Sequence, residues 1–344
     1  MSTTDAQGGG HVRRVVVIAA LVGLAVSIGI VVKAGFGEIA SIAISRIGWR
    51  GLAAMCATYL PGVAVLAAAW LVLDARARPS EWLTLFFARL VRDASGELLP
   101  FSSLGGFVFG ARAAILGGME PAMSISTTVV DVTAEFISQL GYAAIGLALL
   151  GAGPAALESQ RLLWSSLLGL VAGGIGAFAF IVFQHRASGL IEREVARRAP
   201  SALAQTSAVT ASVHALYSKP WRLILSTLLH FAGWIMGAVG VWGGLWLAGQ
   251  HMSLRVILGL ESLVYVVRTV TFAAPMGLGV IEAGYAAVAV LFGLPVQFAV
   301  ALSLIKRLRD IIIGLPALAL WQFLEGRRML APGAKAAATD GKSG

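Results

Sequence analysis

The chain has 344 residues, 58% hydrophobic and only 12% charged, with a mean hydropathy of +0.84. An ordinary soluble domain carries about 25% charged residues, so that class is excluded. The net charge of +9 does not mark a nucleic-acid binder, because the Lys and Arg residues gather in loops and tails beside apolar runs, where they orient membrane helices.

Charge-free runs at Val15 to Val32, Gly51 to Leu73, Leu162 to Phe183 and Leu223 to Gly249 each meet the roughly 18-residue minimum for a membrane-crossing helix. None alternates as a barrel strand would, so the fold class is an all-α polytopic membrane protein. The single cysteine, Cys56, lies in an apolar run, which rules out an internal disulfide or a cysteine metal site.

In chain order, MSTTDAQGGGHVRR precedes an apolar run longer than a signal-peptide core, with no small-residue cleavage site. It is read as an uncleaved first span with a positive cytoplasmic flank. Trp49 to Leu73 forms the second span and contains Pro61. After DARARPS, the segment Glu81 to Leu99 is apolar enough for a helix yet holds Arg89, Arg92, Asp93 and Glu97, and Pro100 and FSSLGGFVFG then break it. Pro121 to Leu150 spans, with Asp131 and Glu135 one turn apart, followed by Leu162 to Phe183. The connection Gln184 to Pro220 carries Arg186, Arg193, Arg197, Arg198 and Lys219 among scattered apolar residues, as short interfacial helices would.

Beyond the span at Leu223 to Gly249, ESLVYVVRTVTFAAPMGLGVIEAGY repeats the broken pattern. In both copies a helix bearing an Arg reaches a proline (Pro100, Pro275). Glycines follow (Gly105, Gly106 and Gly110; Gly277, Gly279 and Gly284), then a short apolar helix and a second turn, GGMEP or FGLP. A helix with a charged pair one turn apart comes next: Asp131 and Glu135, or Lys306 and Asp310. The expected units are 81–151 and 255–322 within a single membrane domain, with a basic cytoplasmic loop at 184–220 and a flexible cytoplasmic tail at 326–344.

If 81–118 and 255–293 dip into the membrane and return as re-entrant hairpins, about six helices span. The two copies then face opposite ways, and the basic loop and both termini lie in the cytoplasm. Two alternatives remain open: eight full spans, which exports the basic loop, and a straight span over Ala283 to Ile305.

Each charge at the centre of a membrane helix costs about 2.5 to 3.5 kcal/mol on insertion scales. Arg89, Asp93 and Glu97 share one helix face, as do Asp131, Glu135 and Gln139; Glu261, Tyr265 and Arg268 share another. Ion pairing that fixes helix packing is one reading. A hydrated groove for a polar group is the other, with Arg92, Arg112, Arg268 and Arg307 available to a phosphate or carboxylate. His230 is read as a packed polar residue. Gly106/Gly110, Gly169/Gly173 and Gly233/Gly237 have the spacing of helix-packing glycines. No cofactor or phosphate-loop motif is found.

The elements GELLPFSSLGG, GARAAILGG, YVVRTVTFAAPMGLGVIEAGY and SLIKRLRD resemble the flippase-like membrane family named after the transmembrane region of lysylphosphatidylglycerol synthase. RDASGELLPFSSLGG is most similar to its hopanoid-biosynthesis-associated members, the HpnL type. The resemblance implies a bacterial inner-membrane protein that moves a lipid, a hopanoid or an anionic phospholipid, between leaflets. It points to Glu97, Pro100, Gly105, Gly106, Arg112, Arg268, Pro275, Gly277, Gly279, Glu282, Arg307 and Asp310. Many relatives carry a Glu-Arg pair where this chain has Val129, Val130 and Asp131. An intramembrane enzyme using Glu97, Asp131 or Glu282 as acid or base is the alternative, without an accompanying nucleophile or cofactor motif. A scaffold for lipid-biosynthesis enzymes is the third reading.

Overall fold

The computed structural model describes residues 3–99, 102–151, 164, 171, 175, 203–270 and 275–330. Among these every regular element is helical: α1 (Thr3–Ala34), α2 (Phe36–Ser41), a π-helical turn (Ile42–Ile47), α3 (Gly48–Leu71), α4 (Trp82–Leu98), α5 (Ser102–Leu116), α6 (Pro121–Gly151), α7 (Leu203–Tyr217), α8 (Pro220–Leu247), α9 (Leu254–Val270), α10 (Val280–Leu291) and α11 (Val296–Leu330).

Among the described residues four stretches are long and apolar enough to cross a membrane: Val17–Ala34, Phe36–Leu71, Pro121–Gly151 and Pro220–Leu247. On α1, Ile18, Leu21, Val22 and Val32 are all exposed, which suits a helix whose solvent is lipid. Of the expected spans, Leu162 to Phe183 lies outside the described residues apart from Trp164, Val171 and Ile175. The last expected span is α11, whose 35 residues reach about 52 Å at roughly 1.5 Å per residue. Lys306, Arg307, Arg309 and Asp310 interrupt its apolar character at mid-length.

The broken segments are helical hairpins. Helices α4 and α5 run antiparallel: a Cβ on Gly106 would sit 2.7 Å from the Arg92 carbonyl oxygen, one on Gly110 2.7 Å from Arg92 Cβ, and one on Gly117 2.2 Å from Thr84 Cγ2. Glycine is required there because the helix backbones touch. Helices α9 and α10 pair likewise, Gly284 against Val267 and Gly259 against Phe292. With 17, 15, 17 and 12 residues, these helices are about 18 to 26 Å long, short of the roughly 30 Å hydrocarbon core. The straight reading of Ala283 to Ile305 is corrected: α10 ends at Leu291, and Gly293 at φ 68° followed by Pro295 turns the chain into α11.

Helix α11 orders the two hairpins. Its first half, Phe298 to Ile305, shares a core with Ile257 and Leu260 of α9 and Val288 and Ala289 of α10, the base of the second hairpin. Its second half, Leu318 and Trp321, shares another with Ala88 of α4 and Ala113 and Ala114 of α5, toward the base of the first. Between them a Cβ on Gly314 would lie 2.8 Å from Leu98 Cδ1, near the first hairpin's tip. The bases therefore lie at opposite ends of α11 and the tips meet near its middle. Helix α6 follows both hairpins in the reverse order, from Ser124 bonded to the Ala111 carbonyl at 2.9 Å to Gly146 against Ser262.

Helices α3 and α8 also pack antiparallel on small residues, Gly51 against Gly244 and Gly62 against Gly233. The one described helix of the basic connection, α7, leans on α6: Ser126 Oγ donates to the Val209 carbonyl at 3.1 Å, and the Thr133 and Tyr217 hydroxyls lie 2.9 Å apart.

Candidate functional site

Charged residues placed in apolar helices need partners, and the hairpins supply them. Around α6, Arg92 Nη1 donates to Asp131 at 2.6 Å and Arg92 also binds Glu135; Arg89 reaches Glu135 at 3.1 Å and Asp93 at 3.0 Å. On the far side of Asp131 stands His230 of α8, its Nε2 2.9 Å from the carboxylate. Asp131, Arg89, Arg92 and His230 are all buried, so their charges are compensated out of contact with water or lipid.

The second network surrounds α11. Lys306 binds Glu261 of α9 and lies 2.5 Å from the Tyr285 hydroxyl, which itself donates to Glu261 at 2.6 Å. Arg307 Nη2 donates to Glu282 at 2.7 Å, and Arg309 holds Asp310 at 2.6 Å while lying 4.5 Å over the Tyr59 ring. At the tips Arg268 of α9 pairs with Glu97 of α4.

All of these groups but Asp131, His230 and Glu282 line one cavity of about 720 Å³, walled on its apolar side by Val63 and Leu66 of α3 and Trp234, Ala238 and Val241 of α8. Its edge is shaped by the break at the second tip. Met276 lies in the left-handed region at φ 55°, uncommon for a side-chain-bearing residue. Arg307 Nη1 donates to its carbonyl at 3.3 Å. The Gly279 N–H donates to both Ser27 of α1 and Glu282, each at 2.9 Å. Gly279 also lets α1 approach: a Cβ there would sit 2.8 Å from the Gly23 carbonyl oxygen.

The profile of the lysylphosphatidylglycerol synthase TM region matches residues 17–317. The chain belongs to that family. No match was found among curated proteins or solved structures.

Within the family region, the structure gathers most of the expected residues. Arg89, Arg92, Asp93, Glu97 and Glu135 line the cavity from the first hairpin and α6; Glu261, Tyr265, Arg268, Arg307 and Asp310 line it from the second hairpin and α11. Asp131 and Glu282 stand one layer behind, each buried against an arginine that faces the cavity. Gly105 and Gly106 are in the first turn and a half of α5, and Gly106 packs on α4. Pro275, Gly277 and Gly279 form the bend at the second tip. Pro100 lies outside the described residues.

One expected residue lies elsewhere. Arg112, assigned to the head-group set, is bonded to Glu325 at 2.6 Å with its side chain 44% exposed, near the base of the first hairpin and off the cavity. Its position ten residues beyond Ser102, the start of α5, carries it about three turns from the tip. Arg92 is also more a strut than a ligand, since its guanidinium is committed to Asp131 and Glu135. The substituted place at Asp131 keeps its partners, Arg92 and Arg89, with His230 hydrogen-bonded on its far side.

Lys306, Arg309, Tyr59, Gln139, Trp234 and Tyr285 also line the cavity. Lys306 was visible as one half of a charged pair on α11. Tyr59 had no signal, because a tyrosine in a charge-free span reads as ordinary interfacial or packing material.

Proposed function

We propose that the chain carries a lipid between membrane leaflets, its polar head group entering the cavity between the hairpin tips while its apolar body stays in the bilayer. The observation that carries this reading is the placing of the hairpin bases at opposite ends of α11 with the tips meeting at a charged cavity of about 720 Å³. If α11 crosses the bilayer, two re-entrant hairpins entering from opposite faces can each gate the cavity toward its own side, as in inverted-repeat transporters. Units 81–151 and 255–322 are then the two repeats.

Membership in the lysylphosphatidylglycerol synthase TM region family supports a lipid-related role. The closer likeness to hopanoid-associated members supports a hopanoid or related lipid as cargo, an inner-membrane location with both termini cytoplasmic, and lipid-biosynthesis enzymes as neighbours. The reading is of a transporter and not an enzyme: the cavity carboxylates Asp93, Glu97, Glu135, Glu261 and Asp310 are each engaged by an arginine or lysine, which disfavours proton transfer by them.

The test is full-length protein in vesicles containing a trace of acyl-labelled fluorescent phospholipid, with an impermeant quencher added outside. Protein-dependent loss of the protected inner-leaflet signal, abolished in the Arg268→Ala, Glu97→Ala double variant, is expected. A quench no deeper than in protein-free vesicles, repeated with a labelled hopanoid, overturns the proposal.

A further inference from the structure

Ion pairs hold the site's charges, and the pair members nearest the cavity differ in sign between the two hairpin units. On the first wall Arg89 and Arg92 are 2% and 3% exposed; of the carboxylates they hold, Asp131 is buried behind them, while Asp93 and Glu135 are 21% and 13% exposed. On the second wall the order is reversed: Glu261 and Glu282 are 6% and 1% exposed, and their partners Lys306 and Arg307 are 17% and 20% exposed. Arg309 and Asp310, both partly exposed and 2.6 Å apart, neutralise each other. Because Coulomb energy falls with distance, the nearer member of each pair dominates what a guest feels. The first wall is acidic and the second basic.

Arg268 and Glu97 join the two walls across the tips, and they are the most exposed member of the basic wall, at 36%, and a partly exposed member of the acidic one, at 16%. A guest that separates them must satisfy both. An anion bound to Arg268 leaves Glu97 uncompensated, and a cation bound to Glu97 leaves Arg268 so; either guest strands a charge that was paired. A guest with one positive and one negative group replaces the pair charge for charge. Tyr265 adds an aromatic face beside Arg268, 5.8 Å from its guanidinium and backed by Trp234 at 4.4 Å, and aromatic faces favour ammonium groups.

We infer that the cavity takes a zwitterionic head group, its ammonium toward Glu97, Asp93 and Glu135 and its phosphate or carboxylate toward Arg268, Lys306 and Arg307. This deepens the lipid-transport reading and rests on it for the source of the head group. A net-anionic cargo, among those suggested by the family resemblance, is disfavoured by the same geometry.

The test uses purified full-length protein in a neutral detergent, with binding read from tryptophan fluorescence. The probes are dihexanoylphosphatidylcholine (zwitterion), its O-ethyl ester (cation), dihexanoylphosphatidylglycerol (anion) and lipid-free glycerophosphocholine. The zwitterionic lipid should bind at least roughly tenfold tighter than the cation or the anion. Glu97→Gln should shift the preference toward the anion, and Arg268→Gln toward the cation. An anion or cation that binds the wild type as tightly as the zwitterion overturns the inference while leaving lipid transport standing, as do two variants that shift the same way. Glycerophosphocholine binding as tightly as the lipid keeps the zwitterion and overturns the lipid source. Binding of none of the four overturns the zwitterion inference and leaves lipid transport to the vesicle assay. If either variant fails to fold, as judged by its melting curve, the wild-type comparison decides alone.

Discussion

Asp131 of α6 and Lys306 of α11 occupy corresponding places and carry opposite charges. Each sits on the long helix that follows a hairpin and is bound to that hairpin's first helix, Asp131 to Arg92 at 2.6 Å with Arg89 at 3.7 Å, Lys306 to Glu261. The ion pair is inverted between the two halves of the chain. A shared architecture with reversed polarity is what gives the cavity one acidic and one basic wall.

Asp131→Asn keeps the shape but leaves Arg92 and Arg89 short of a buried counter-charge. Breaking a buried pair from one side costs about 3 to 5 kcal/mol, so its melting temperature in detergent should fall sharply. Glu97→Gln, at the partly exposed tip, should lower stability by about 1 kcal/mol or less. Equal losses for the two variants would contradict the layering described above.

Lys306→Met strands the buried Glu261, and the same range of about 3 to 5 kcal/mol applies. Adding Glu261→Gln removes the stranded charge, and the double variant should recover most of the loss. A double-mutant cycle on thermal stability, with a coupling of about 3 kcal/mol or more, checks it. Strict additivity would mean that the two residues do not interact in the membrane.

Gly106→Ala puts a methyl 2.7 Å from the Arg92 carbonyl oxygen. The backbone there cannot rotate away, so the first hairpin must open, with a loss of about 1 to 3 kcal/mol and weaker transport through the displaced Arg92. Gly118→Ala meets no atom but sits at φ 101°, a backbone strain of about 1 to 2 kcal/mol. Transport by that variant, measured per folded protein, should be unchanged.

Arg112→Ala should leave lipid transport intact and lower stability by about 1 kcal/mol, since Arg112 is exposed although its partner Glu325 is buried. Loss of transport in folded protein would show that the pair with Glu325 takes part in function despite its place off the cavity.

Hairpins entering from opposite faces put Ser80 and Ser253, the exposed residues at their two bases, on opposite sides of the membrane. In a Cys56→Ser background, Ser253→Cys should react with an impermeant maleimide on intact cells, and Ser80→Cys only after lysis. Labelling of both from one side would overturn the opposed arrangement.

Much of this protein was determined by its sequence alone. A charge-free run of about 18 residues can only be a buried or membrane helix, and a proline followed by glycines must interrupt one. The hairpin limits were therefore legible to within a few residues, and so were the charged faces of α4, α6 and α9, because residues four apart share a helix side. Partnership was not legible. Glu97 meets Arg268, and Asp131 meets His230, across about a hundred residues or more of chain, and no local pattern encodes which helix lies alongside which. Arg112 looked equivalent to Arg92 in sequence, yet lies off the cavity because about three turns of α5 separate it from the tip. Which member of each ion pair faces the cavity depends on side-chain reach and on packing by neighbouring helices. The acidic and basic walls therefore exist only in the tertiary structure.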